Sequence, residues 1–359
     1  DPRAEAHVTA DLERVVDAIL TEAGASPPLA VFLLGGYARG EGTVVVGEDG
    51  ARHGFNDYDF LVVFARRPPR AERYAQLARR LAGELGIDFV DLGLATPRDL
   101  AAAPPTLFWY ELGEAHRLLW SGPEGAPRLP RFRPGELDPE EGSRLLLNRG
   151  MALLWAGARL WEGPLPGSGE IRRDPAELRF ASIAAHKAIA AVGDAALLRA
   201  HAYVPCQANR QETLASRPEL TAWAGAGFLE AYARAMAFRR RPAVGAPAEV
   251  ASLWWEAREH HERGFRAEEA ARLGAAIPLW DAYPRLLRAG EKKRDLSRPR
   301  GALRRVRRAM RGETGDAPET AWRLGMVELL YGLRTNPAGL RSGTAWNERA
   351  LDLVRRWHP

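Results

Sequence analysis

An apolar run, Leu29-Ala30-Val31-Phe32-Leu33-Leu34, breaks at Gly35-Gly36-Tyr37-Ala38-Arg39-Gly40-Glu41-Gly42, and a second run, Asn56-Asp57-Tyr58-Asp59-Phe60-Leu61-Val62-Val63, brings two acids into an apolar setting. The order predicts a strand, a glycine turn and an acid-bearing strand. Alternation along a strand sends Asp57 and Asp59 to one side and Tyr58 and Phe60 to the other, into packing. Two neighbouring carboxylates repel each other unless a divalent cation lies between them, and hard oxygen ligands suit magnesium. A glycine turn beside them leaves backbone amides free for phosphate oxygens. Together these features point to a site for metal and phosphate.

At these residues the chain resembles the polymerase-β-like nucleotidyltransferase superfamily. That pattern is a hydrophobic residue, Gly, then Gly or Ser, followed by Asp-hydrophobic-Asp/Glu-hydrophobic and later a lone acid on another strand. Leu34-Gly35-Gly36 and Asp57-Tyr58-Asp59-Phe60 match its first two parts, and Ile87-Asp88-Phe89-Val90 offers the third. Asp91 competes with Asp88. The two have opposite strand parity, so a regular strand turns only one of them to the metal; Asp88 is chosen because apolar residues flank it on both sides.

The resemblance implies an α/β (α+β) nucleotidyltransferase-like domain with a mixed sheet, and a nucleoside monophosphate moved from an NTP, ATP first among them, to a hydroxyl on a small molecule, an RNA end or a protein. It implies Asp57, Asp59 and Asp88 as ligands of Mg2+ or Mn2+, with Asp88 on the side of the attacking oxygen. Gly35 and Gly36 would admit the triphosphate to the backbone, and Arg39 would pair with a phosphate. Glu41 either orients Arg39 or caps the following turn. Twenty residues lie between Gly36 and Asp57, longer than the family usually allows. Thr43-Val44-Val45-Val46 and Gly47-Glu48-Asp49-Gly50 explain the excess as a strand and hairpin turn, and Asn56 is expected to fix the turn into the acid strand.

At 359 residues the chain exceeds what one core usually serves, so two domains are expected. The alternating strand and helix signals occupy about 1–125, including an amphipathic helix over Ala4–Ala23, strands near 29–34, 43–46, 57–65, 87–94 and 116–120, and a helix over 69–85. A linker rich in Pro and Gly follows over 126–138. From 139 to 359 the pattern is that of an all-α helical bundle, with helices near 139–162, 174–200, 211–240, 247–273, 317–333 and 346–356. Trp155, Trp161, Trp254 and Trp255 sit at helical spacing and are read as packing residues.

Hydrophobic residues make up 46% and charged residues 27%, an ordinary globular composition without the ~20-residue apolar stretch that spans a bilayer. The absence of a transmembrane segment, the lack of an apolar block near Asp1 and Glu5, and the single Cys206 are read as cytoplasmic. Charge is concentrated. Twelve basic residues against Glu291 and Asp295 crowd the segment 285–311, enough to account for more than the net +5 of the whole chain. Arg304, Arg305, Arg307 and Arg308 line a basic amphipathic stretch that could meet RNA or anionic lipid, or no partner.

The helical half offers weaker candidates. Lys187 and Asp194, seven apart on one helix face, are followed by Tyr203 and Arg210; they form either the wall of a nucleotide or acceptor cleft or a buried ion pair. Arg179 and His186 are similar to the arginine-histidine motif of HEPN-type ribonucleases, with spacing at the edge of that pattern. His260-His261 among Glu256, Glu259 and Glu262 reads as a solvated helix face before it reads as a metal site. Two alternatives to the transferase therefore stand: an NTP-binding toxin–antitoxin or other interaction protein without turnover, and RNA binding or cleavage through the helical half.

Overall fold

The computed structural model describes residues 1–47, 50–66, 70–297, 318–332 and 346–357. It is a mixed α/β structure with a small mixed sheet and many helices. Two compact units divide it. The first holds Asp1–Asp138 together with two later returns, His201–Arg210 and Ala237–Pro242; the second holds Pro139–Ala200, Gln211–Met236 and Ala243–Pro359.

The first unit opens with helix α1 (Pro2–Ala23), whose first turn is capped by the Asp1 carboxylate accepting from the Arg3 amide at 2.9 Å. Strand β1 (Ala30–Leu33) runs into a single helical turn, α2 (Gly35–Ala38). Strands β2 (Val44–Val46) and β3 (Arg52–Gly54) pair antiparallel as a separate two-stranded sheet, the hairpin expected between the glycine turn and the acids. Strand β4 (Asp57–Val63) carries the acids; helix α3 (Ala71–Leu85), strand β5 (Phe89–Ala95), helices α4 (Pro97–Ala101) and α5 (Leu107–Glu114) and strand β6 (Arg117–Ser121) follow. The main sheet has the order β5-β4-β1-β6, with β4 parallel to β5 and β1 antiparallel to both its neighbours.

Each face of that sheet has its own apolar cover. Val31, Leu33, Tyr58, Phe60, Val62 and Val90 pack under α1 and α3, using Leu12, Val15, Ile19, Tyr74, Leu77 and Leu81. The opposite face, with Ala30, Phe32, Leu34, Leu61, Val63 and Ala95, packs on Leu100 of α4 and Leu112 of α5. Asp57 and Asp59 belong by parity to this second face, at the end of β4 that its apolar cover leaves open. The polar tip of Tyr58, buried on the first face, is satisfied by Asp11 of α1 at 2.8 Å.

The second unit is helical. Helices α6 (Glu141–Leu160), α7 (Pro175–Arg199) and α10 (Pro247–Leu273) pack on one another, and the C-terminal helix α13 (Trp346–Trp357) packs on α6. Trp161 and Trp254 meet edge to face at 5.1 Å within this core, as do Trp254 and Trp255 at 4.9 Å. The single helix expected over 211–240 is broken: α8 (Gln207–Ser216) and α9 (Phe228–Arg240) are separated by Pro218, which opens a 3-10 segment, and by Gly225 and Gly227. Helix α11 (Tyr283–Ser297) follows α10, and α12 (Pro318–Met326) runs on into a π-helical turn at Val327–Tyr331 whose Leu330 and Tyr331 carbonyls are taken by the buried Arg258 at 2.7 and 3.1 Å.

One expectation needs correction. Helix α7 is long and apolar enough to cross a membrane, against the reading that no segment is, yet 89% of its most apolar window is buried within the protein. Its apolarity matches its packing between α6 and α10.

Candidate functional site

The junction of β1 with α2 places the glycine turn directly against the acid strand. Gly35 adopts a φ of +65°, and a Cβ built on it would lie 2.4 Å from Asp59 Oδ2. Only glycine fits there, on both backbone angle and space. The Leu34 amide donates to the Asp59 carbonyl at 2.8 Å and fixes the register of the approach. Asn56, immediately before the acids, holds a φ of +78°, and its carbonyl accepts from the Phe89 amide at 3.1 Å. Asparagine tolerates that left-handed angle better than other side chains do, so its turn-forming part is as expected.

Register separates Asp88 from Asp91. In the parallel pairing Asp59 stands opposite Asp91 and Asp57 opposite Phe89. Residues paired across a sheet share a face, so Asp91 is the acid on the face of Asp57 and Asp59. Asp88 precedes the first paired residue of β5 and has the parity of Tyr58 and Val90, which point into the α1–α3 core. The apolar flanks that favoured Asp88 are Ile87, which is buried, and Phe89, which is 50% exposed; they mark the entry to an edge strand. Among the described residues no three His, Cys, Asp or Glu side chains lie close enough together to hold a metal ion. What fits a divalent cation is narrower: two carboxylates on one face, one of them against a glycine whose side chain would fill the approach.

Arg39 and Glu41 follow the turn, and their backbone amides bond to Gly35 and Gly36 carbonyls at 3.4 and 2.8 Å. Arg39, read from sequence as a phosphate ligand, gives its Nε to Glu41 Oε2 at 2.8 Å and brings Nη1 to 3.9 Å from Glu111 Oε2. Of the two alternatives for Glu41 the first holds, and in place of the second the carboxylate has a distant partner. It orients Arg39, and it caps a helix far away in sequence, accepting from the Gln207 amide at 2.7 Å and from Gln207 Nε2 at 3.0 Å. Burial works to raise the Glu41 pKa, but the Arg39 and Gln207 hydrogen bonds and the positive charges of Arg39 and Arg210 outweigh it and hold the carboxyl below its usual range.

Sequence reasoning missed Glu111. It accepts from the Tyr203 hydroxyl, which itself accepts from Arg210 Nη1 at 3.0 Å, and the Arg210 guanidinium lies over the Tyr203 ring at 4.9 Å. An acid inside the apolar stretch Leu107-Phe108-Trp109-Tyr110-Glu111-Leu112 was the available signal. Tyr203 and Arg210 lie in the first unit and bond to each other; in the second, the half-buried Lys187 and the buried Asp194 lie on α7, where Asp194 accepts from the Tyr232 hydroxyl at 3.0 Å.

The remaining candidates are in the second unit. His261 is fully buried between the Leu146 carbonyl and the Tyr331 hydroxyl, each at 2.7 Å, and burial pushes its pKa down to about 4 despite the Leu146 bond. His260 is buried against the Ala224 carbonyl at 3.3 Å. The solvated face expected for the pair is a core face. Arg179 and His186 share α7; His186 Nδ1 bonds the Ser182 carbonyl at 2.8 Å, and His186 borders a cavity of about 740 Å3 with Arg234, Glu249 and Glu256. Arg304, Arg305, Arg307 and Arg308 lie outside the described residues. Comparison with protein-family models, curated proteins and solved structures gives no match.

Proposed function

We propose that the first unit is a nucleotidyltransferase-type domain that moves a nucleoside monophosphate from an NTP to a hydroxyl acceptor. The observation that carries this reading is the seating of the Asp59 carboxylate against Gly35, with Asp57 on the same face of β4 and Asp91 beside Asp59 on β5. Asp57 and Asp59 would hold Mg2+ or Mn2+, and Asp91 rather than Asp88 is the further acid that shares their face. A bound divalent ion supplies charge neutralisation between the attacking and leaving oxygens of a phosphoryl group. The chain's own part is positioning. Gly35 and Gly36 admit the phosphates to the turn, and the rigid β4–β5 pair keeps the carboxylates on the side from which the phosphates arrive.

Incubation with each α-labelled NTP, Mg2+ or Mn2+, and separate pools of RNA, protein and small hydroxyl compounds tests it. Label entering one pool identifies the acceptor class, and loss of that label in the Asp57→Asn, Asp59→Asn double variant at unchanged fold assigns the acids. A second reading is nucleotide binding without transfer. It predicts metal-dependent NTP binding with no labelled product in any pool.

A further inference from the structure

Three N–H donors converge on one carboxylate beside the glycine turn. Arg39 Nε and Gln207 Nε2 meet Glu41 Oε2 at 2.8 and 3.0 Å, and the backbone amide of Gln207, the first residue of the ten-residue helix α8, meets Oε1 at 2.7 Å. A guanidinium edge, a helix-end amide and a side-chain amide are the groups that elsewhere receive a phosphate. We propose that this pocket is a phosphate-binding site that Glu41 fills from within, so that a polyphosphate chain binds by displacing the Glu41 carboxylate.

Three further observations support it. The Arg39 side chain is only 8% exposed, and its Nη1, 3.9 Å from Glu111 Oε2, makes no hydrogen bond. Gln207, which gives Glu41 both its backbone and its side-chain amide, is 4% exposed. A buried donor left without an acceptor is rare in native proteins, and here it belongs to a side chain that grips Glu41. The charges agree: Arg39 and Arg210 balance Glu41 and Glu111, so withdrawal of Glu41 leaves a net positive pocket in a setting of low polarity, where an anion is held strongly. Glu41 also stands between Gly40, at a φ of +71°, and Gly42, and a glycine on each side lowers the backbone cost of swinging the carboxylate out.

The inference deepens the nucleotide reading and rests on it for the identity of the ligand; the phosphate site itself is tested without metal or transfer. Binding of inorganic tripolyphosphate and of ATP to the full chain is measured by calorimetry in the presence of a chelator. Removing an internal competitor raises apparent affinity by the inverse of the fraction already open. The Glu41→Gln variant, which keeps an acceptor for the Gln207 amide, is expected to bind tripolyphosphate about tenfold more tightly than the wild type, and the Arg39→Gln, Glu41→Gln double variant to lose that gain. ATP should gain in step with tripolyphosphate. Equal affinity in wild type and Glu41→Gln, or a gain confined to ATP, overturns the proposal and leaves Glu41 a structural clamp, even if label transfer succeeds. Should the variants fail to fold, the wild type decides: the Arg39 Nε–H resonance shifts on saturation with tripolyphosphate if Glu41 is displaced, and stays in place if it is not.

Discussion

Gly35 is the residue on which the site turns, since Asp59 Oδ2 lies where a side chain at residue 35 would begin. Gly35→Ala adds strain from the positive φ to a clash with the carboxylate. It is expected to lower stability by at least about 1 kcal/mol, read from the denaturation midpoint, and to weaken nucleotide binding beyond what that loss explains. Tyr58, one residue from either acid, serves the opposite face. Tyr58→Phe removes its bond to Asp11 and leaves that carboxylate short of a donor, at a cost of about 1 kcal/mol, with no change in nucleotide binding. The pair of substitutions separates the two faces of β4.

At the scale of elements, β4 and β5 were legible because alternation is a strong signal, and their order with the glycine turn was enough to place Asp57 and Asp59 on one face. The choice between Asp88 and Asp91 was not legible. It depends on which residue of β5 stands beside Asp59, a pairing that flanking apolar residues do not encode. The partnership of Glu41 with Gln207 was hidden for a similar reason, since they are 166 positions apart and no local pattern links a turn to a distant helix start. In the second unit the helices were visible from periodicity, but Glu269 was not, although it anchors them. Buried on α10, it receives Arg323 at 2.7 Å, Arg272 at 2.6 Å and the Tyr283 hydroxyl at 2.6 Å. Glu269→Gln removes one of the two carboxylates at each guanidinium, Arg272 keeping Glu291 and Arg323 keeping Glu319, and is expected to cost about 1–3 kcal/mol in chemical denaturation of the full chain.

At the scale of the whole molecule, His261 and Glu268 carry opposed proton linkages. His261 is held neutral with a pKa near 4 against an ordinary 6.5, so its contribution to stability is present above pH 6.5 and is lost as pH falls through 4. Burial, with Glu269 adding to it, raises Glu268 to about 7 from 4.5 despite Arg199 at 2.9 Å, so its contribution is present below pH 4.5 and is lost as pH rises through 7. Between these limits the two slopes oppose each other, so Glu268 reduces the rise that His261, and with it the lowered His186 and His260, give the wild type. Glu268→Gln removes one slope, so its stability should climb from pH 4.5 to 6.5, by about 3 kcal/mol if His261 acts alone; a profile parallel to the wild type would refute the pairing of these groups.

The central claim is that Asp57 and Asp59, seated at the Gly35 turn, hold a divalent ion together with a nucleotide. Manganese titration followed by paramagnetic resonance, with ATP present, measures this on the wild type and on the Asp57→Asn, Asp59→Asn variant. The account predicts protein-bound Mn2+ that depends on ATP in the wild type and disappears in the variant while the fold and melting temperature hold. Equal Mn2+ binding by the two proteins, or none by the wild type at saturating ATP, would contradict it.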